Sequence, residues 1–173
     1  MTEKELIRKC KTPKGQRQFY DWYVAAMTRL CLRYLRDEAA AFEVLTAGFL
    51  KVFKNHKKFR YRGEGSLDAW IRKIMVNECL MLLRKNSRMH PTVSIHETFD
   101  LPDVPISSLD SEYLYDAIRK LPDGYRLVFN LYAIEGYSHK EIGEQLGIAE
   151  SSSRSQLTHA RRQLKELLNP YFK

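Results

Sequence analysis

Cysteine is scarce in this chain of 173 residues: Cys10, Cys31 and Cys79 stand far apart and are odd in number. They form no CxxC pair, and no Cys/His spacing of a metal site occurs. The pattern argues against a disulfide framework and a zinc module, and reads as buried, reduced thiols of a cytoplasmic protein. Long apolar runs are missing too. None could span a bilayer, and the first residues lack the apolar core of a signal peptide, so a soluble protein without membrane insertion is expected. The eight glycines include no phosphate-cradling loop. Paired catalytic carboxylates are lacking, and His56, His90, His96, His139 and His159 are scattered without evident partners. No enzyme, no catalytic residue, no cofactor and no metal is expected.

What the chain has in excess is positive charge. Lys and Arg number 29 against 21 acids, a formal +8, with a sequence pI near 9.4. Nucleic acid is the commonest polyanionic partner of such a chain, although many basic proteins are simply soluble. The charge is unevenly laid out. Residues 15–90 hold 15 basic and 7 acidic side chains, and residues 111–173 hold 9 and 8. Between them, residues 91–110 carry no base and four acids: Glu97, Asp100, Asp103 and Asp110. A basic block, an acidic strip and a near-neutral block predict two modules and a linker. With 44% hydrophobic residues, the chain can also bury a core.

Nearly every segment outside that strip reads as helix. Phe19-Tyr20, Tyr23-Val24, Met27, Leu30-Cys31 and Tyr34-Leu35 recur at helical spacing, and so do Phe42, Leu45, Phe49-Leu50 and Phe53. A loop bearing two glycines, Arg60 to Gly65, interrupts the pattern. Ser66 is the expected N-cap of the next helix, which carries Leu67, Trp70-Ile71, Ile74-Met75 and Leu82-Leu83. The strip loses the periodicity, with Pro91, Pro102 and Pro105 among serines and acids. Helices resume near Ser111. Pro122 fits the first turn of a helix carrying Leu127-Val128, Leu131-Tyr132 and Ile134, ended by Gly136. The fold class expected is all-α: two small helical domains, 1–90 and 111–173, joined by the acidic linker 91–110.

Near the C-terminus, Ser138-His139-Lys140-Glu141 matches a capping box. Ile142 and Leu146 form the inner face of that short helix, Gly147 supplies a left-handed turn, and a long helix follows to about Leu168. Two helices across a tight glycine turn make either a DNA-binding helix-turn-helix or an ordinary helical hairpin. At about 100° per residue, Ser153, Leu157, Ala160, Leu164 and Leu168 share an inward face. The other side shows Ser151, Arg154, Ser155, Thr158, Arg161, Arg162 and Lys165. Short polar side chains allow close approach to a groove floor, arginine can fork onto guanine, and later arginines suit phosphates. A solvated face is the plain alternative, but such faces favour Glu and Lys, which propagate helix better than Ser.

Two stretches resemble a known family. "LPDGYRLVFNLYAIEGYSHKEIGEQLGIAESSSRSQLTHARRQL" resembles the fourth conserved region of bacterial sigma factors, in particular the extracytoplasmic-function (ECF) group. "FLKVFKNHKKFRYRGEGSLDAWIRKIMVNECLMLLRK" resembles their second region, and its "GEGSLDAWIRKIMVN" makes the likeness specific. The resemblance implies a transcription initiation factor that binds core RNA polymerase and directs it to promoters. The N-terminal domain would bind the clamp helices of the largest subunit and read and melt the minus-ten element. The C-terminal domain would bind the flap of the second-largest subunit and read the minus-thirty-five element. The linker would pass through a basic channel of the polymerase. A separate anti-sigma factor would exercise control.

Residues follow from the same likeness. At minus thirty-five, Arg154, Ser155, Thr158 and His159 are the base-reading candidates, and Ser151, Ser152, Gln156, Arg161 and Arg162 complete the contact set, mostly to backbone. At minus ten, a pocket for unstacked bases would use the loop Arg60, Arg62, Gly63 and Ser66, with Asn77 reading a base edge. Arg72, Lys73, Arg84 and Lys85 would hold phosphates, and Trp70 is expected in the core. Glu43, Thr46, Phe49 and Lys51 are the polymerase-binding candidates. The chain departs from the family's pattern in four places. Thr46 and Ala47 replace a glutamine-glutamate pair. Met81 replaces aspartate. Ala149 replaces the capping Ser or Thr, so that Ser151 or Ser152 is expected to cap. Ser153 replaces a core valine. The alternative function is a helix-turn-helix regulator that never joins the polymerase; the first half shows none of the strand alternation of a receiver domain.

Overall fold

A computed structural model of the chain describes residues 2–85 and 111–169. The expected linker, 91–110, lies outside the described residues. The chain divides into two compact units, Met1–Asn86 and Ser87–Lys173, and among the described residues every regular element is helical.

The first unit holds α1 (Glu3–Lys9), α2 (Pro13–Tyr34), α3 (Glu38–Asn55), a short 3-10 turn (His56–Lys58) and α4 (Ser66–Lys85). Local chemistry starts each helix. Thr2 and Glu5 form a capping box at α1. Thr12 accepts from Gly15 N–H at the start of α2, where Pro13 sits in the first turn. Asp37 accepts from the Ala39 and Ala40 amides at α3. Phe19, Met27, Leu30, Tyr34, Val52, Leu67, Ile71 and Met75 fill the core. Gly48 of α3 lies against the Met75 side chain of α4, whose thioether would have to shift to admit a Cβ there. All three cysteines are free and buried, and burial pushes the Cys10 thiol up to about 11.

Ser66 is not the N-cap expected of it. It is the first residue of α4, and amides at that end are instead bound by the carboxylate of Glu3, more than 60 residues earlier. Local pattern could not reveal a cap supplied from so far away.

The second unit holds α5 (Ser111–Lys120), α6 (Asp123–Phe129), a π-helical turn (Asn130–Ile134), α7 (His139–Leu146) and α8 (Glu150–Leu168). Pro122 is the N-cap residue of α6, just before its first turn. The helix expected to run through Ile134 widens to π geometry at Asn130, and Gly136 then turns the chain at φ 77°. Arg126 is buried, held by Asp123 at 2.8 Å and the Leu121 carbonyl at 3.1 Å. The Ser138 capping box is present as expected. Gly147 adopts φ 69°, and its N–H and that of Ile148 both reach the Gly143 carbonyl, at 2.9 and 3.1 Å. That turn sets the start of α8 at Glu150 with Ala149 as a cap residue lacking any side-chain bond. Ser151 and Ser152 therefore lie inside the first turn and do not cap, contrary to expectation.

Candidate nucleic-acid interface

On α8, Ser153, Leu157, Ala160, Leu164 and Leu168 are buried, as their spacing requires. Gln156 joins them at 7% exposure. It lies only about 60° round the helix from Ser153, so it belongs to the inner side and is no candidate for a backbone contact from this face. Ser151, Arg154 and Arg162 are exposed, and Ser152, Ser155, Thr158, His159 and Arg161 are half-buried.

Several of these side chains are already held. Arg154 pairs with Glu150 one turn earlier, and the Thr158 hydroxyl donates to the Arg154 carbonyl at 3.2 Å. His159 stacks on Tyr125 of α6 at 5.5 Å, and Arg162 bonds to its Nδ1 at 3.2 Å. Arg161 lies over the ring of Tyr132, 5.9 Å from its centroid. Tyr132, presented by the π turn, also stacks on His139 at 4.4 Å. His139 Nδ1 in turn bonds to the buried Ser153 hydroxyl at 2.9 Å. The serine in the valine position thus has a partner. Burial lowers the His139 pKa, Arg154 and Arg161 lower it further, and Glu150 opposes them. Sequence reasoning missed Tyr132 and His139. Their signal was an aromatic beside the helix-turn-helix whose period placed it in the core.

In the first unit the loop before α4 turns on Gly63 and Gly65, at φ 124° and 83°. The Ser66 hydroxyl closes it, donating to the Gly63 carbonyl at 2.6 Å and accepting from Arg62 N–H at 3.3 Å. Arg60 and Arg62 are exposed. From the loop a stripe at helical spacing runs along α4 through Ser66, Trp70, Lys73, Asn77, Met81 and Arg84. Lys73, Asn77 and Arg84 are exposed. Trp70, expected in the core, is half-buried on this stripe and packs on Phe59 at 5.1 Å. Arg72 lies about 140° round the helix from Asn77, on the inner side near Met75 and Cys79. It does not join the stripe, and Lys85 sits at the helix end off its axis.

On α3 the exposed residues include Glu43 and Thr46, as expected, but Phe49 is 3% exposed. It packs against Tyr20 at 4.7 Å and Phe53 at 6.1 Å, and so is a core residue, not a surface contact. The aromatic on the Glu43 side is Phe42, 66% exposed, followed by Leu50 at 64%. Their place in the apolar rhythm made both look internal. Lys51 is tied to buried Glu78 of α4 at 2.6 Å.

The first unit thus presents a cationic loop and stripe and the second a helix-turn-helix with arginines on its outer side, surfaces suited to a polyanion. The profile for Sigma-70 region 2 matches residues 19–89 and that for Sigma-70, region 4 matches residues 111–164. The ECF sigma factor SigM of Mycobacterium tuberculosis is 27% identical over 140 residues, covering 81% of this chain and 70% of that protein. The ECF sigma-E factor of Haemophilus influenzae is 25% identical over 142 residues, 74% of each. Among solved structures, the sigma factor RpoE of Bartonella quintana, in complex with the anti-sigma factor NepR, superposes with a TM-score of 0.52. It is 22% identical, over 88% of this chain and 96% of that one, a likeness of fold.

The chain belongs to the sigma-70 family of RNA polymerase sigma factors, in the ECF group. It is a transcription initiation factor that directs polymerase to promoters; a helix-turn-helix regulator working apart from polymerase is not favoured, because region 2 is present as well as region 4. The family is one of regulatory proteins, and no described helix is long and apolar enough to cross a membrane.

Proposed function

We propose a division of this activity among the two units. Residues 1–90 bind the polymerase clamp and read and melt the minus-ten element. Residues 111–173 bind the flap and read the minus-thirty-five element, and residues 91–110 connect them through the polymerase. The observation that carries the reading is the loop Arg60–Ser66 continuing into the exposed stripe Lys73, Asn77 and Arg84. Glycine turns leave the loop open to a flipped base, the Asn77 amide can read a base edge, and the cations hold single-stranded phosphates. In the second unit, Arg154, Ser155 and Thr158 are the base readers, with Ser151, Ser152, Arg161 and Arg162 toward the backbone. His159, held by Tyr125, takes a supporting place beside them. On α3, Glu43, Thr46, Phe42 and Leu50 form the clamp-binding surface.

The partners proposed are core RNA polymerase, promoter DNA and an anti-sigma factor; the last is supported by the RpoE relative having been solved with NepR. The test is transcription by core bacterial polymerase with and without the protein, on a duplex promoter selected from a DNA library. Initiation should depend on the protein. Asn77→Ala should lower initiation on the duplex about tenfold or more, the loss expected of one good base contact, and a template already melted at minus ten should restore most of it. Equal loss on both templates would remove Asn77 from the opening step.

A further inference from the structure

We infer that α1 is a brace for the loop Phe59–Ser66, and that Glu3 and Lys4 are positioning residues for promoter opening. The inference rests on the assignment of that loop to minus-ten melting and adds the element that holds it in shape.

Three observations carry it. The first is the Glu3 carboxylate. One oxygen accepts from Gly65 N–H at 3.0 Å and Asp68 N–H at 3.4 Å, and the other accepts from Leu67 N–H at 3.2 Å. Amides at a helix start have no partner within their own helix, and a carboxylate there also meets the positive end of the helix dipole. The second is Lys4, whose ammonium lies over the ring of Tyr61, 5.0 Å from its centroid. Neighbouring residues of α1 therefore hold the entry of the loop at Tyr61 and its exit at Gly65.

The third is that α1 is itself fixed. Leu6 and Cys10 are buried, and Gln16 Nε2 donates to the Cys10 carbonyl at 3.0 Å. A Cβ at Gly15 would collide with the Lys9 carbonyl, so glycine there lets α1 lie directly on α2. The Thr2–Glu5 capping box starts the helix where Glu3 and Lys4 can reach the loop.

The loop needs such support. Gly63 and Gly65 have left-handed φ and the widest backbone freedom of any residue, and the Ser66 hydroxyl bonds bridge only Arg62 to Ser66. A loop ordered from outside has met its entropy cost before a flipped base arrives. Ordering that is absent until DNA binds would instead be charged against the opening step.

The experiment compares open-complex formation by the holoenzyme on a duplex promoter and on the same promoter already melted at minus ten, with thermal stability measured alongside. Glu3→Ala should slow opening of the duplex about five- to tenfold, the scale of a lost charged cap, with little change on the melted template. Glu3→Gln, which keeps one acceptor oxygen, should fall between, and Lys4→Ala should act in the same direction. An unchanged duplex rate for Glu3→Ala overturns the brace, and so does an equal fall on both templates with a lowered melting temperature. If Asn77→Ala is defective while Glu3→Ala is not, the brace alone fails. If the wild-type protein opens no duplex, both the brace and the assignment of the loop fall.

Discussion

Ser153 and His139 show how one departure at a single position is accommodated. A hydroxyl without a partner in a core costs about 1–3 kcal/mol. Here the Ser153 hydroxyl is fully buried and meets His139 Nδ1 at 2.9 Å. The same contact ties the first residue of α7 to the inner face of α8, across the turn at Gly147. It also carries a pH dependence. The His139 pKa lies below its ordinary value, first through burial and then through Arg154 and Arg161, against Glu150. The unfolded chain therefore binds the proton more readily than the folded one. Stability is full above the ordinary histidine value of about 6.5 and is lost as pH falls through it toward the folded value. Amide exchange of α7 and α8 in the full chain should accelerate between about pH 7.5 and pH 5.5, beyond the intrinsic chemical change. His139→Gln, which cannot titrate, should flatten that trend. The same pH slope in the variant would assign the effect to another group.

At the scale of the helix, α8 combines a conventional inner stripe with an outer face of serine, threonine and arginine, and its arginines divide by placement. Arg154 is exposed in the second turn and tethered to Glu150 of its own helix. Arg161 lies two turns on, over Tyr132. On the proposed division of the interface, the first meets the bases and the second the backbone. Losing a good base contact costs about 1–3 kcal/mol and relaxes preference at one base pair. Losing a phosphate contact weakens all sequences alike and lowers the salt slope by roughly one. Binding titrations against single-base promoter variants at several salt concentrations should therefore show altered selectivity for Arg154→Ala. For Arg161→Ala they should show altered affinity and salt response. Uniform weakening by Arg154→Ala would make it a backbone clamp. The helices themselves were legible where their signals are local: Ser138 with Glu141, Gly147, and the Leu157–Leu164 repeat. The same kind of local box, Thr2 with Glu5, marks α1, which the apolar rhythm alone passed over. What stayed hidden depends on neighbours in space. Glu3 caps a helix more than 60 residues away, and Gln156 turns inward beside Ser153. Phe42 is exposed where the apolar rhythm put it inside, and Phe49 is in the core where the family likeness put it at the polymerase surface.

At the scale of the whole chain, each unit carries its own core, so contacts proposed for the first unit can be broken while those of the second are left intact. Phe42 and Phe49 supply the sharpest case. Both are aromatic residues of α3, seven positions apart, yet one is 66% exposed and the other 3%. Phe49→Ala would empty a site between Tyr20 and Phe53 and should cost the first unit about 3–5 kcal/mol of stability. Phe42→Ala removes no packed neighbour of that kind and should leave stability nearly unchanged while weakening polymerase binding. Glu43, beside Phe42 on the same exposed face, adds a charge to the surface. Glu43→Lys should weaken binding to core polymerase about tenfold, through lost complementarity and new repulsion. The second unit shares no element with that face, so its affinity for minus-thirty-five DNA should be unaltered by either change. A competition titration for core polymerase, run beside DNA binding by the full chain, reads both quantities. Undiminished polymerase binding by Glu43→Lys and Phe42→Ala together would move the clamp-binding surface away from this face of α3.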